Sequence, residues 1–134
     1  MSTQLMLAPA TRTWEQLSTA ISESLDDLLT GSVSEVRVTV PGGGQHVIAA
    51  LIGDGQIRLA AAGNDTLVGG DRLTVRDERA AITVGFKVGS DSWGNFYWDW
   101  SSPVDSELVA SGIIRTMRDI YKVESNQLEL TVTL

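Results

Sequence analysis

The stretch EVRVTVPGGGQHVIAALIGDGQIRLAAA, residues 35–62, decides the fold. It contains three runs of strand-forming residues separated by glycine-rich breaks. In the first run, valines alternate with polar residues, which is the period of a half-buried strand. The breaks at 41–44 and 53–55 are short turns, and short turns join antiparallel neighbours. The stretch therefore predicts an antiparallel meander, with the mostly apolar run 46–52 as its central strand.

Helical patterns flank this meander. Residues 14–29 carry apolar side chains at helical spacing, with Thr13 and Gln16 as a capping box and Gly31 as the residue that ends the helix. A second helix is expected over residues 74–84, with Ile82 and Phe86 facing inward. Its β-branched residues would also suit a strand, so both readings stay open at this point.

The remaining elements lie in the second half of the chain. We expect a strand over residues 95–100 and a third helix from Ser102 and Pro103 to about Tyr121, with a cap followed by proline at its start. Regular alternation over 128–134 predicts a terminal strand. This strand is expected to lie at a sheet edge, where unpaired amides invite a partner.

The predicted order is α-β-β-β-α-β-α-β, which indicates an α+β domain with helices packed on an antiparallel sheet. Residues 1–12 are predicted to be a flexible N-terminus and residues 13–134 a single domain. The length of 134 residues is that of one domain.

Composition excludes several classes of function. The chain has no cysteine, which excludes a disulfide scaffold, a thiolate metal site and a cysteine nucleophile. Its formal net charge is -7 and it has no run of Lys or Arg, so a nucleic-acid partner is disfavoured. No apolar run is long enough for a membrane span or a signal peptide, which favours the cytoplasm. The acidic balance fits a soluble protein, or one that receives a basic or apolar peptide.

The sequence contains no recognisable catalytic motif. His46 is the only histidine, without a second metal ligand of its kind, and reads as a structural residue. The glycines at 42–44 lack the lysine of a phosphate-binding loop, and the serines have no base in a known motif. We therefore expect no catalytic residues, no metal and no cofactor. The alternative is a small-molecule sensor or enzyme that uses an acidic and aromatic pocket near Trp93, Tyr97, Asp99 and Asp91.

The most distinctive segment is WGNFYWDW, residues 93–100, which holds three of the four tryptophans. Such side chains supply large contact areas and are enriched at binding hot spots. Phe96, Trp98 and Trp100 share one strand face, which favours a core position for them. Trp93 and Tyr97 fall outside that face. Whether this strand belongs to the core or to a binding surface stays open at this point. The residues that we predict for a partner-binding surface are Trp93, Tyr97, Trp98 and Trp100.

Several short motifs carry a family resemblance. They include Gly63-Asn64 after the third strand, Arg72-Leu73 before the second helix, and the run RTMRDIY at 115–121 with Arg115, Arg118 and Asp119. In order and spacing they resemble the actinobacterial TY-Chap domains, a family grouped with type III secretion chaperones and YbjN-like proteins. The likeness covers about residues 14–130. It departs from the family pattern at Gly85-Phe86, where the family has a glycine followed by tryptophan.

The resemblance implies a chaperone-like fold, no catalysis, and binding of a segment of a partner protein. It also implies a dimer, since chaperones of this type are commonly dimeric. On the third helix, Val104, Leu108 and Ile114 point away from the main apolar face and need cover from another element or from another chain. We therefore expect a symmetric homodimer built on that helix or on an edge strand.

Overall fold

The computed structural model describes residues 4–8, 13–64, 66–89 and 96–134, the first of these ranges by its backbone alone. The helices are α1 (Trp14–Thr30), α2 (Val75–Val84) and α3 (Ser106–Arg115), and α3 continues into a π-helical turn, Thr116–Ile120. The strands are β1 (Gln4–Ala8), β2 (Glu35–Thr39), β3 (His46–Gly53), β4 (Gln56–Ala61), β5 (Lys87–Val88), β6 (Phe96–Trp100) and β7 (Glu129–Thr133). The predicted α+β class is confirmed.

The strands form one antiparallel sheet in the order β1-β7-β2-β3-β4-β6-β5. The meander and the central position of β3 agree with the prediction from residues 35–62. Two strands were not predicted. β1 lies within the segment expected to be flexible, and β5 lies between the second predicted helix and the strand predicted at 95–100.

The position of β7 corrects the expectation of a terminal edge strand. β7 lies between β1 and β2, so both of its sides are paired. The physical reason is that β1 covers the side that would otherwise be exposed. Within the described residues, the sheet ends at β1 on one side and at β5 on the other.

The ends of α1 follow from its sequence. Thr13 accepts a hydrogen bond from the Gln16 backbone, and the Gln16 side chain accepts one from the Thr13 backbone. Gly31 ends the helix with φ 85°, a left-handed conformation that favours glycine. These contacts satisfy amide groups that a helix end leaves without partners.

The other two helices differ in detail from the prediction. In α2, Ala81 is buried while Ile82 is 51% exposed. The side of the helix that faces the core therefore contains Ala81, one residue before the predicted Ile82. The cap of α3 is Asp105 rather than Ser102, and its carboxylate accepts hydrogen bonds from the Glu107 and Leu108 amides. Aspartate is as good a cap as serine, so the helix begins at Ser106.

One face of the sheet carries the core. Buried residues alternate along β2, β3, β4 and β7, and their opposite neighbours are half-exposed or exposed, apart from Thr133. The core joins these strand residues to the apolar stripes of α1 and α3, which also pack on each other. Burial of this area is the main stabilising contribution to the fold.

The end of α3 is tied to the sheet. The Tyr121 hydroxyl donates a 2.7 Å hydrogen bond to the Ala62 carbonyl, and burial raises the pKa of this phenol. Ile114 is 7% exposed, so the cover expected for it comes from another element of the same chain. Val104 is also packed against the core, whereas Leu108 remains 59% exposed.

Candidate functional site

Strand β6 places its aromatic residues on both faces of the sheet. Its register opposite β4 pairs Tyr97 with Ala60, Trp98 with Leu59, and Trp100 with Ile57. Since Leu59 and Ile57 are buried on the core face, Trp98 and Trp100 lie on that face as well. Tyr97 and Asp99 lie on the opposite face.

Trp98 and Trp100 form a packed aromatic wall. Their ring centroids are 4.5 Å apart, and Phe86 meets Trp98 edge-on at 5.3 Å. Both tryptophans are half-buried, and the Trp100 Nε1 is buried without a hydrogen-bond partner in the described part of the chain. The wall therefore belongs partly to the core, as the alternation within residues 93–100 favoured.

Two glycines make room for this wall. A Cβ atom at Gly85 would lie 2.5 Å from Trp98 Cε2, and one at Gly112 would lie 3.1 Å from Trp98 Cζ3. Gly85 also has φ 145°, a conformation that other residues rarely adopt. The indole of Trp98 thus depends on the absence of a side chain at the end of α2.

On the face of the sheet away from the core, Tyr97 lies against the charged side chain of Arg58. The Arg58 guanidinium lies 4.9 Å from the Tyr97 ring centroid, within the range of a cation–π contact. Arg58 also donates two hydrogen bonds to Asp99, of 2.7 Å from Nε and 2.8 Å from Nη2. These bonds hold the pKa of the Asp99 carboxyl below its usual value, against a smaller opposing effect of burial. The pair is half-exposed, so its main effect is to orient Tyr97.

The edge beside these aromatics is short. β5 pairs only with Phe96 and Tyr97, so within the described ranges no strand lies beside Trp98, Asp99 and Trp100 on their outer side. Val88 is 64% exposed at this edge. An unpaired strand edge is a template for an added strand.

Two predicted site residues cannot be placed. Trp93 and Asp91 lie outside the described residues. Of the acidic and aromatic pocket, the structure describes Tyr97 and Asp99, and the Asp99 carboxylate is engaged by Arg58. That ion pair neutralises the carboxylate that a cationic ligand would need.

The motif residues Gly63 and Asn64 have structural contacts. The Asn64 side-chain Nδ2 donates a 2.9 Å hydrogen bond to the Leu73 backbone carbonyl. The Asn64 Oδ1 accepts a 2.7 Å hydrogen bond from the Leu73 backbone amide. The Gly63 carbonyl accepts from the Thr66 and Leu67 amides. Asn64 therefore fixes the segment that leads into α2, which sets the start of the helix.

The charged residues of the motif at 115–121 lie on the surface, whereas Thr116, Met117 and Ile120 are buried. The Arg118 Nε donates a 2.9 Å hydrogen bond to the Asp119 carboxylate. This bond lowers the pKa of Asp119 and raises the pKa of Arg118. Both side chains are about half exposed, and Arg115 is exposed too. None of the hydrogen bonds that Arg118 and Asp119 make within the described ranges reaches β6. The motif and the aromatic strand are thus separate features.

A small cavity of about 280 Å³ lies near the Asn64 contact. It is lined by Gln45, by residues 70–74 and Asp77, and by residues 120–122. Gln45 is 7% exposed, and its Oε1 has no hydrogen-bond partner within the described residues. A Cβ atom at Gly43 would lie only 2.2 Å from the same oxygen. The carboxamide is therefore packed against the turn.

His46 makes the stability of the fold depend on pH. Burial lowers the pKa of its imidazole, Arg37 lowers it further, and a contact of 3.0 Å between Nδ1 and the Gly44 carbonyl opposes them. The unfolded chain thus takes up the proton at a higher pH than the folded chain. Acid therefore favours the unfolded state below the ordinary pKa of 6.5.

We expect the free energy of unfolding to fall as the pH is lowered from about 7 to about 5, before most carboxylates titrate. Denaturant titrations across this range measure the change. The variant His46→Gln should show a smaller decrease. An equal decrease in the variant would contradict the assignment to His46.

Sequence reasoning missed the supporting residues of this site. Arg58 and Gly85 act through the register of β6 and the packing of its indoles, and neither is visible before β6 is paired.

Among the described residues, no group of three His, Cys, Asp or Glu side chains could hold a metal ion. No helix in those ranges combines the length and apolar character that a bilayer crossing requires.

Comparison with known proteins gives one match. Residues 8–132 match the family TY-Chap3, described as T3SS (YopN, CesT) and YbjN peptide-binding chaperone 3. No curated protein and no solved structure matches the chain.

Proposed function

The chain belongs to the TY-Chap family of T3SS and YbjN peptide-binding chaperones, and on that premise we propose that it binds an extended segment of a partner protein without catalysing a reaction. The observation that carries the proposal is the family match over residues 8–132, nearly the whole chain. The resemblance inferred from the sequence motifs is confirmed by the same match.

The segment binds at the β5–β6 edge. A peptide that adds to a sheet edge gains main-chain hydrogen bonds and places alternate side chains on the two faces. At this edge Tyr97 lies on one face, and Trp98 and Trp100 lie on the other. One bound strand would therefore contact all three. Trp93 remains part of the proposed surface by its place in the sequence.

Two observations favour a peptide over a small cationic ligand. Asp99 is already paired with Arg58, and Trp98 and Trp100 stack on each other rather than around an open space. A strand edge needs neither a free carboxylate nor an enclosed pocket. The acidic and aromatic pocket is thus the weaker candidate.

The test is a screen of purified chain against a library of unstructured peptides, followed by fluorescence anisotropy on the hits. We expect saturable binding at micromolar concentrations, typical of transient recognition. A thermal-shift screen against metabolites runs in parallel, since a specific ligand stabilises the folded state. Stabilisation by a metabolite without binding of any peptide would contradict the proposal.

We also propose that the chain acts in the cytoplasm as a homodimer. Since Ile114 and β7 are covered within the chain, the contact would use the exposed Leu108 on α3 or the edge strand β1. Light scattering decides the state of assembly. A mass of 14.4 kDa would mean a monomer and remove this proposal.

A further inference from the structure

The outward face of α2 carries apolar side chains that the described part of the chain leaves exposed. Val75 is 64% exposed and Ile82 is 51% exposed, and they lie seven residues apart on one side of the helix. Arg79 lies between them, at helical spacing from both. The inward side of the same helix is marked by Ala81, which is buried.

This face continues into the edge strand. α2 is followed after two residues by β5, and the two elements contact each other. Val88 on β5 is 64% exposed. The helix face and the strand edge thus form one segment, which we call the α2–β5 surface. Its exposed apolar residues are Val75, Ile82 and Val88.

The charge of this segment differs from that of the whole chain. Residues 72–88 contain four cations and two carboxylates, although the chain has a formal net charge of -7. One of the two carboxylates, Asp77, accepts a 3.1 Å bond from Lys122, so it adds little negative field. The exposed cations on the helix are Arg76 and Arg79. Lys87 is also exposed, but it pairs with Tyr97 and lies on the other face of the sheet, near Asp99.

The first helix has the reverse character. α1 contains Glu15, Glu23, Asp26 and Asp27 and no basic residue. An acidic segment would be repelled there and attracted to the α2–β5 surface. Complementary charge of this kind raises the association rate and sets the register of a bound partner.

We infer that the partner segment is acidic, with apolar residues at alternate positions, and that it docks along the α2–β5 surface. This inference rests on the proposed function and names the class of its substrate. The apolar side chains of the segment cover Ile82 and Val88. Its carboxylates meet Arg76 and Arg79. The local charge of the surface, rather than the net charge of the chain, selects the partner, whereas the composition alone fitted a basic or apolar peptide.

The test compares two labelled peptides of twelve residues, each with Val and Phe at alternate positions. One has Glu at the intervening positions and the other has Lys. We expect the Glu peptide to bind at least tenfold more tightly by anisotropy, with a preference that shrinks as salt is raised. Equal or tighter binding of the Lys peptide would overturn the inference.

A variant pair locates the effect. Arg76→Gln with Arg79→Gln should remove most of the preference for the Glu peptide. Ser111→Asp with Asn126→Asp gives the chain the same net charge at exposed positions elsewhere, and it should keep the preference. Equal loss in both pairs would assign the effect to net charge and overturn the inference.

Two other outcomes separate this inference from its premise. If both peptides bind equally and binding still depends on Tyr97, the α2–β5 assignment fails while the proposed function stands. If neither peptide binds and the Arg76→Gln, Arg79→Gln pair lowers the mass seen by light scattering, the surface takes a second copy of the chain, and both are overturned.

Discussion

The substitution Gly85→Ala is expected to lower the free energy of unfolding by about 3 kcal/mol, from strain at a positive φ together with overpacking. The backbone at Gly85 has φ 145°, and the new Cβ would lie 2.5 Å from Trp98 Cε2. The indole cannot move freely because Phe86 and Trp100 pack against it. Denaturant titration measures the loss.

Gly70→Ala is the matched control for this substitution. No atom lies within 4 Å of the position of its new Cβ, and its φ is outside the left-handed region. It should change stability by no more than about 0.5 kcal/mol. Equal stability of the two variants would contradict the packing described for Trp98.

The second large effect concerns binding. We expect Tyr97→Ala to weaken peptide binding by about tenfold or more, since buried tyrosines at the centre of an interface commonly cost over 1 kcal/mol when truncated. Tyr97 is half-exposed, and its neighbours across the strands are Ala60 on β4 and Lys87 on β5, so the fold should tolerate the change. Anisotropy with a peptide from the library measures the affinity.

Thr131→Ala provides the control on the same face of the sheet. It lies on β7, four strands from β6 in the sheet. It should bind as tightly as the unchanged chain. A loss of affinity equal to that of Tyr97→Ala, or no loss in either variant, would argue against the β5–β6 edge.

Local signals predicted the first half of the fold well. The capping box at Thr13 and the glycine at 31 depend on a few neighbouring residues, and the meander depends on short turns. Each can be read without knowledge of distant contacts. The α+β class follows from these elements because helices and an antiparallel sheet must cover one another.

The missed features depend on distant pairing. β5 has two residues, too few for any period to be visible, and it forms only because β6 is beside it. The interior position of β7 depends on β1, which pairs with it across most of the chain length. Register between such segments is not encoded in either strand alone.

The candidate site was predicted only in part. The aromatic pattern correctly separated Tyr97 from Trp98 and Trp100, because strand residues alternate between faces. The contacts of Arg58 with Tyr97 and Asp99 could not be foreseen, since they require β4 and β6 to be in register. The basic character of residues 72–88 was visible in the sequence, but the exposure of Val75 and Ile82 was not.

The central claim is that an extended segment adds to the β5–β6 edge. Backbone amide hydrogen exchange, measured with and without saturating peptide, tests it most directly. We predict slower exchange at Lys87, Val88 and along β6, with α1 unchanged, because an added strand protects the amides it pairs with. Protection confined to α1, or no change along β5 and β6 at saturation, would contradict the claim.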